Sequence, residues 1–219
     1  MSGAQPSLEN RKAFIRANTR IADVPGLPVR LWQADELTPI WKATEQDLAR
    51  HVIGPPFWAF PWAGGQALAH YLLKHPETVR DKSVLDLASG SGLVAIAAAL
   101  GGAASTTAND IDPMCEAAIA ANAELNGVAI AYLGGDLLET ALPKADVILA
   151  ADVFYEQTPA RRFLAFLQRA QAAGANVLVG DPGRTYFPRD VFNLLAEYDV
   201  ATSTEIENAP VKTACVWTF

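Results

Sequence analysis

The sequence predicts an α/β chain built on a doubly wound, mostly parallel sheet of seven strands. From "GQALAHYLLKHP" onward, short apolar runs alternate with amphipathic runs of helical length. One such run ends at Leu87 and passes at once into glycines and an Ala-rich helical stretch, "LASGSGLVAIAAAL". The last two strand-like runs are separated only by "ENAP", a turn too short for anything but an antiparallel hairpin.

Each element can be read in order. "SLENRKAFIRANTRI" reads as a short helix, "LPVRLWQA" as a strand and "TEQDLARH" as another helix. "GPPFWAFPWAGG" carries too much proline and glycine to stay regular for long. Parallel strands are expected at Ser83–Leu87, Ser105–Asp110, Ala129–Leu133, Ala145–Ala150 and Ala175–Gly180. Helical crossovers are expected at Leu93–Leu100, Pro113–Asn126, Pro159–Ala173 and Phe187–Tyr198. "VATSTEI" and "VKTACVWTF" complete the seven as the terminal hairpin. Residues 1–60 form an N-terminal extension, expected to cover the substrate side, and residues 61–219 form the core.

Composition narrows the function classes. A chain of 219 residues suits one α/β domain with such an extension. Its net charge of −7 argues against a broad phosphate-binding footprint, so no nucleic-acid partner is expected. No apolar run is long enough to span a membrane, and the N-terminus lacks the apolar centre of a secretory signal. Glu9, Asp23 and the scarcity of serine weigh against an organellar leader. Cys115 and Cys215 lie far apart without metal-type spacing, and His51, His70 and His75 make no ligand pair. The expectation is a cytoplasmic, monomeric protein without a metal.

The loop after Leu87 is the default ligand site, because open α/β sheets bind at the carboxyl ends of their strands. Gly90-Ser-Gly92 fits a dinucleotide fingerprint, but Asp86 stands just upstream. A carboxylate there would repel a pyrophosphate by about 4 kcal/mol at ~4 Å and an effective dielectric of ~20. It would favour a cationic amino group instead. Asp110 can accept both hydroxyls of a ribose, while Asp112 reads as the cap of the helix opening at Pro113. Asp136 in "GGDLLE" stands where an acid can accept from an adenine amino group. Together the three acids outline a nucleoside with a positively charged tail.

With these residues in place, the chain resembles the class I, seven-stranded methyltransferases that use S-adenosylmethionine, a Rossmann-like family. The family's acid-x-Gly-x-Gly-x-Gly pattern reads here Asp86-Leu-Ala88-Ser-Gly90-Ser-Gly92, and alanine in the first glycine position implies a backbone that does not need positive φ. "PFWAFPWAGGQALAHYLL", "ANDIDP", "AELNG" and "ADVFYE" are similar to the bacterial form of the lysine methyltransferases of the electron transfer flavoprotein beta subunit. Their group is marked by an acid-x-x-(Phe/Tyr) motif after the fourth core strand, here Asp152-Val-Phe-Tyr155.

The resemblance implies Asp86, Ser89, Gly90 and Gly92 around the methionyl end of the cofactor, and Asp110 on the ribose beside Ile111. It places Asp136 and Leu137 by the adenine, with Trp62 and Ala151 walling the pocket and Gln66 near Trp62. Trp58 reads as core packing. Asp152 and Tyr155 are the implied catalytic pair: Asp152 accepts from the incoming lysine and Tyr155 orients its amine. A free lysine has a pKa of ~10.4, so exposing the neutral amine near pH 7.4 costs about 4 kcal/mol. Asp152 is free for this if Thr158 caps the next helix, with Pro159 in its first turn. "GDPGR" after the next strand flanks the same rim, where Asp181 or Arg184 could touch substrate, but its Asp-Pro-Gly reads first as an ordinary turn. Methyltransferases of planar amides and adenine amines carry two prolines in the motif, and both are missing here. The remaining alternatives are a class I methyltransferase of another protein, such as a ribosomal protein, or of a small molecule, and a cofactor-binding module without catalysis, against which the intact "DVFY" argues. A nicotinamide-dependent oxidoreductase is disfavoured by Asp86.

Overall fold

The computed structural model describes residues 6–35, 38, 40 and 55–219, and the helix expected at "TEQDLARH" lies outside them. Helix α1 (Leu8–Asn18) is capped by Ser7, whose hydroxyl accepts from the Asn10 N–H. A two-stranded hairpin follows, β1 (Arg20–Asp23) against β2 (Arg30–Gln33).

The main sheet contains β3 (Ser83–Leu87), β4 (Ser105–Asp110), β5 (Ala131–Gly134), β6 (Val147–Ala151), β7 (Asn176–Asp181), β8 (Asn193–Ala201) and β9 (Val211–Thr218). Their spatial order is β5-β4-β3-β6-β7-β9-β8. The first five in sequence are parallel, and β9 runs antiparallel to both β7 and β8. The chain builds outward from β3 to β5, then returns to lay β6 on the other side of β3. The loops after Leu87 and Ala151 therefore leave the sheet at its switch point, where a crevice must open.

The helices are α2 (Ala63–Lys74), α3 (Leu93–Leu100), α4 (Pro113–Asn126), α5 (Gln157–Ala172) and the single turn α6 (Thr204–Glu207). Strand alternation sorts the core into two faces. Val84, Val147, Leu149 and Leu178 pack with α2 and α3. Leu85, Ile148 and Val177 pack with Phe166 and Leu167 of α5. A third cluster joins Ile15 of α1 and Trp58 to Ala108 and Ile119, so Trp58 is core packing as expected. The N-terminal segment is also held by polar contacts. Arg11 pairs with Glu116 and Lys12 with Glu124. Buried Asn122 accepts from the Trp32 N–H at 2.8 Å and donates to the Ser91 carbonyl at 2.8 Å, linking the hairpin to the glycine loop. Among the described residues, no helix is long and apolar enough to cross a membrane.

Three local expectations are corrected. The helix expected at Phe187–Tyr198 is instead a 3-10 turn, Arg189–Val191, followed by β8. Leu194, Leu195 and Ala196 favour a helix locally, but β9 offers a full strand of backbone partners, and Tyr198 and Val200 pack on the α2 side of the sheet. The terminal hairpin is real, but its first strand is β8, and residues 202–210, with α6, connect it to β9. Helix α5 opens at Gln157 after Glu156, so Thr158 lies inside it and no side chain caps it.

Candidate active site

The crevice at the switch point is walled by the ends of β3 and β6, the glycine loop and the aromatic segment before α2. Of the residues expected to bind a cofactor, Trp62, Asp86, Ser89, Gly90 and Ala151 line this cleft, together with Asp152. Asp86 follows Val84 on the face beneath α3. Its carboxylate accepts from the Ser89 hydroxyl and from the Ala95 N–H at 3.1 Å. Burial nevertheless pushes its carboxyl up to about 7. No ion pair reaches it among the described residues.

The glycine loop is shaped by three positive-φ residues, Ala88 (φ 54°), Gly90 (54°) and Gly92 (83°). The expectation that Ala88 avoids this region is overturned. The Ser89 N–H donates to the Asn109 carbonyl at 2.9 Å and pins the turn to β4, and alanine's single methyl keeps the strain to about 1–2 kcal/mol. Asp110 supports the same loop, accepting from the Gly90 N–H at 3.0 Å on one oxygen and from the Asp112 N–H at 3.0 Å on the other. Asp112 caps α4 by accepting from the Met114 N–H at 2.8 Å, as its place before Pro113 implied.

The remaining expected residues lie around the cleft rather than in its wall. Ile111, beside Asp110, is 72% exposed. Asp136 accepts from the Leu138 N–H at 2.9 Å and from Arg162 at 2.7 Å, while Leu137 packs partly buried against the α5-side core. The Gly135 N–H donates to the Asp110 carbonyl at 3.0 Å, which brings the Asp136 loop beside the end of β4. Tyr155 is 49% exposed, and its ring lies 6.1 Å from Phe57, which in turn lies 5.9 Å from Trp62. Gln66 donates to the Pro61 and Ala201 carbonyls, anchoring the start of α2.

Asp152 has partners that sequence reasoning missed. One oxygen accepts from Arg184 through Nη2 at 2.6 Å and Nε at 3.1 Å. The other accepts from the Gly65 N–H at 2.9 Å, at the start of α2. Arg184 also donates to Glu207 at 2.8 and 3.1 Å, and Lys212 reaches Glu207 at 2.8 Å. Burial raises the Asp152 carboxyl above the ordinary range, with Arg184 and the Gly65 N–H pulling against it. Burial also works to raise Glu207, but Lys212 and Arg184 hold it below the ordinary range. "GDPGR" is indeed a turn, in which Asp181 accepts from the Gly183 and Arg184 N–H groups at 2.7 Å each. The turn's last side chain is what reaches the motif acid. A glycine pair brings the elements together: a Cβ on Gly64 would lie 2.4 Å from the Gly180 carbonyl and 2.7 Å from Asp152 Oδ2. No sequence signal marked Glu207.

Residues 33–197 match the family model described as lysine methyltransferase. The chain belongs to that family. It is 39% identical to the electron transfer flavoprotein beta subunit lysine methyltransferase of Rattus norvegicus, over 95% of this chain and 84% of that protein. Its identity to the Homo sapiens protein of the same name is 38%, over 95% and 81% of the two chains. Among solved structures, the magnesium protoporphyrin IX methyltransferase of Synechocystis with bound S-adenosylmethionine superposes with a TM-score of 0.51 at 14% identity, over 70% of this chain and 77% of that one. That likeness bears on the fold alone. Membership of the lysine methyltransferases gives the chain its chemistry: an electrophilic methyl group passes to a lysine nitrogen.

Proposed function

We propose that this chain transfers methyl groups from S-adenosylmethionine to lysine side chains of the electron transfer flavoprotein beta subunit. One observation carries the reading: the acid of the glycine loop, Asp86, and the acid of the "DVFY" motif, Asp152, line one cleft. The relatives that share most of the chain supply the substrate.

The cleft fits the donor. Asp86 is a buried carboxylate with no ion-pair partner among the described residues, suited to an ammonium and hostile to a phosphate. A Cβ on Gly90 would meet nothing within 4 Å, so the backbone there can be approached closely. Ile111 offers an uncovered apolar surface beside Asp110, suited to a nucleoside. Asp86, Ser89, Gly90 and Gly92 would hold the methionyl end, Asp110 and Ile111 the ribose, Asp136 and Leu137 the adenine, and Trp62 and Ala151 the walls. Asp136 can still accept there, since a carboxylate has about four lone-pair sites and two are taken. When bound, S-adenosylmethionine supplies a sulfonium methyl that the lysine nitrogen's lone pair takes as the C–S electrons return to sulfur.

The chain's own task is to hold that nitrogen, unprotonated and in line. Asp152 and Tyr155 flank its approach, and the proton leaves to water at the open mouth. The described end of the N-terminal extension brings Phe57 and Phe60 beside Trp62 and so covers the substrate side, and the protein works as a monomer, in the cytoplasm, on protein rather than nucleic acid. The acidic balance of −7 supports a protein over a nucleic-acid partner, and the two unpaired cysteines suit a reducing compartment.

Intact-mass measurement of recombinant flavoprotein beta subunit, after incubation with enzyme and donor, tests the reading. Mass steps of one methylene are expected. An unchanged mass, with methylation of another protein in the same assay, would replace the substrate while leaving the chemistry.

A further inference from the structure

Asp152 does not wait for its substrate with a bare carboxylate. Both of its oxygens already accept hydrogen bonds, and the groups around it form a row of alternating charge: Asp152, Arg184, Glu207, Lys212. Two acids and two bases cancel. The cancellation occurs largely out of water, with the Asp152 and Glu207 side chains 9% and 3% exposed. The Arg184 guanidinium is fixed from several sides: two carboxylates hold it, and it lies 5.5 Å from the Trp62 ring centre.

We propose that this row is a charge-balancing device that selects the uncharged form of the substrate lysine, with Arg184 as its positioning residue. The inference rests on the lysine methyltransferase reading of the cleft. A bare carboxylate at Asp152 would attract the ammonium form, and a single opposite charge within ~4–6 Å raises an amine's pKa by about 1–3 units. That would bind lysine well and hold it in the form that has no lone pair. With Arg184 in place the row is neutral, and an arriving ammonium adds an excess positive charge next to a buried guanidinium. A neutral amine adds none. Its N–H can still use a free lone pair of Asp152 or the Tyr155 hydroxyl, while its own lone pair remains available. The proton is lost to water before the N–C bond forms.

Other charged groups face this row. Asp181 on β7 lies beneath it, fully buried, and its Oδ2 has no hydrogen-bond partner among the described residues. Burial pushes its carboxyl up to about 7, so it is largely neutral below that pH and leaves the balance intact. Asp86 lines the same cleft from β3, and Glu156 and Asp110 act on the Tyr155 hydroxyl.

The test counts protons. The enzyme carrying S-adenosylhomocysteine is titrated with recombinant flavoprotein beta subunit at about pH 6, where Asp181 is largely neutral, by calorimetry in buffers of different ionisation enthalpy, and kcat and KM are measured against pH. Wild type is expected to release about one proton per lysine engaged, because lysine is charged in solution and neutral in the site. Arg184→Met leaves the row one charge negative. It should release none, raise the apparent pKa of kcat by about 1–2 units, and lower kcat at least about tenfold without raising KM. Glu207→Gln leaves the row one charge positive and should move that pKa down. Arg184→Lys should restore the wild-type profile in part. If Arg184→Met does not fold, the opposite behaviour of Glu207→Gln and the rescue by Arg184→Lys still decide. Binding without proton release in wild type, or both charge variants moving the pKa the same way, would overturn the proposal. Absence of any binding heat would overturn the flavoprotein assignment instead. The proton count is then taken with n-butylamine, a lysine side-chain probe, against the same variants.

Discussion

Arg184 grips one oxygen of Asp152 through two nitrogens, Nη2 at 2.6 Å and Nε at 3.1 Å. The acid of the "DVFY" motif is therefore also one end of a largely buried ion network joining the loops after β6 and β7 to α6 and β9. Structure and chemistry meet at this carboxylate, and its removal should be felt in both.

Asp152→Asn keeps the shape but removes the charge. Transfer should fall at least about a hundredfold, as for loss of a positioned acid or base. Stability should fall by about 3 kcal/mol, because Arg184 loses one of its two buried counter-charges. Donor affinity, measured by calorimetry, should stay close to wild type, since the proposed donor contacts are Asp86 and the glycine loop.

Asp86 should make donor binding depend on pH. Burial holds its carboxyl at about 7, against an ordinary 3.8. Between these values the folded protein keeps a proton that the unfolded chain has lost, so this group's contribution to stability falls as pH rises from about 4 to about 7. The ceiling on that loss is roughly 4 kcal/mol. Asp86→Asn should therefore raise the melting temperature more at pH 8 than at pH 4. A bound ammonium favours the carboxylate, so donor affinity should rise by up to about tenfold per pH unit between about pH 5 and 7, a slope that Asp86→Asn abolishes.

Ala88 sits at φ 54°, in the left-handed region. Ala88→Gly removes about 1–2 kcal/mol of strain and adds about 0.5–1 kcal/mol of unfolded-chain entropy. A net gain near 0.5 kcal/mol is expected in urea denaturation, whereas Ala88→Val should lose at least about 1 kcal/mol.

Gly64→Ala should be costly even though alanine suits a helix. Its Cβ would stand 2.4 Å from the Gly180 carbonyl and 2.7 Å from Asp152 Oδ2, so α2 must part from β7. A loss of about 3 kcal/mol is expected, together with a drop in transfer as the Gly65 N–H is pulled from Asp152.

The parts of the fold legible in the sequence are those with short-range causes. β3, β4, α3 and α4 begin and end where they were expected, because an apolar run, a glycine pair or an Asp-Pro cap marks each boundary within a few residues. β8 was misread because Leu194, Leu195 and Ala196 have helical preferences, and the partner that overrides them, β9, lies across the α6 connection. The site divides in the same way. Asp86, Asp110, Asp136 and Asp152 can be named as candidates from sequence because each stands at or just beyond the carboxyl end of a strand, the ligand side of such a sheet.

Local pattern was thus enough to settle the seven-stranded α/β class, the acids at the strand ends and the glycine loop between the first two, since side-chain periodicity and caps act over one or two turns of chain. The partners of those acids were settled only on folding. Arg184 lies 32 residues from Asp152, Gly65 lies 87 residues from it, and Glu207 lies 23 from Arg184. Which of these meet depends on which strands become neighbours and on how closely two glycines let a helix approach a sheet. The positive φ of Ala88 has the same origin: the bond to β4 that holds it exists only once the sheet has formed.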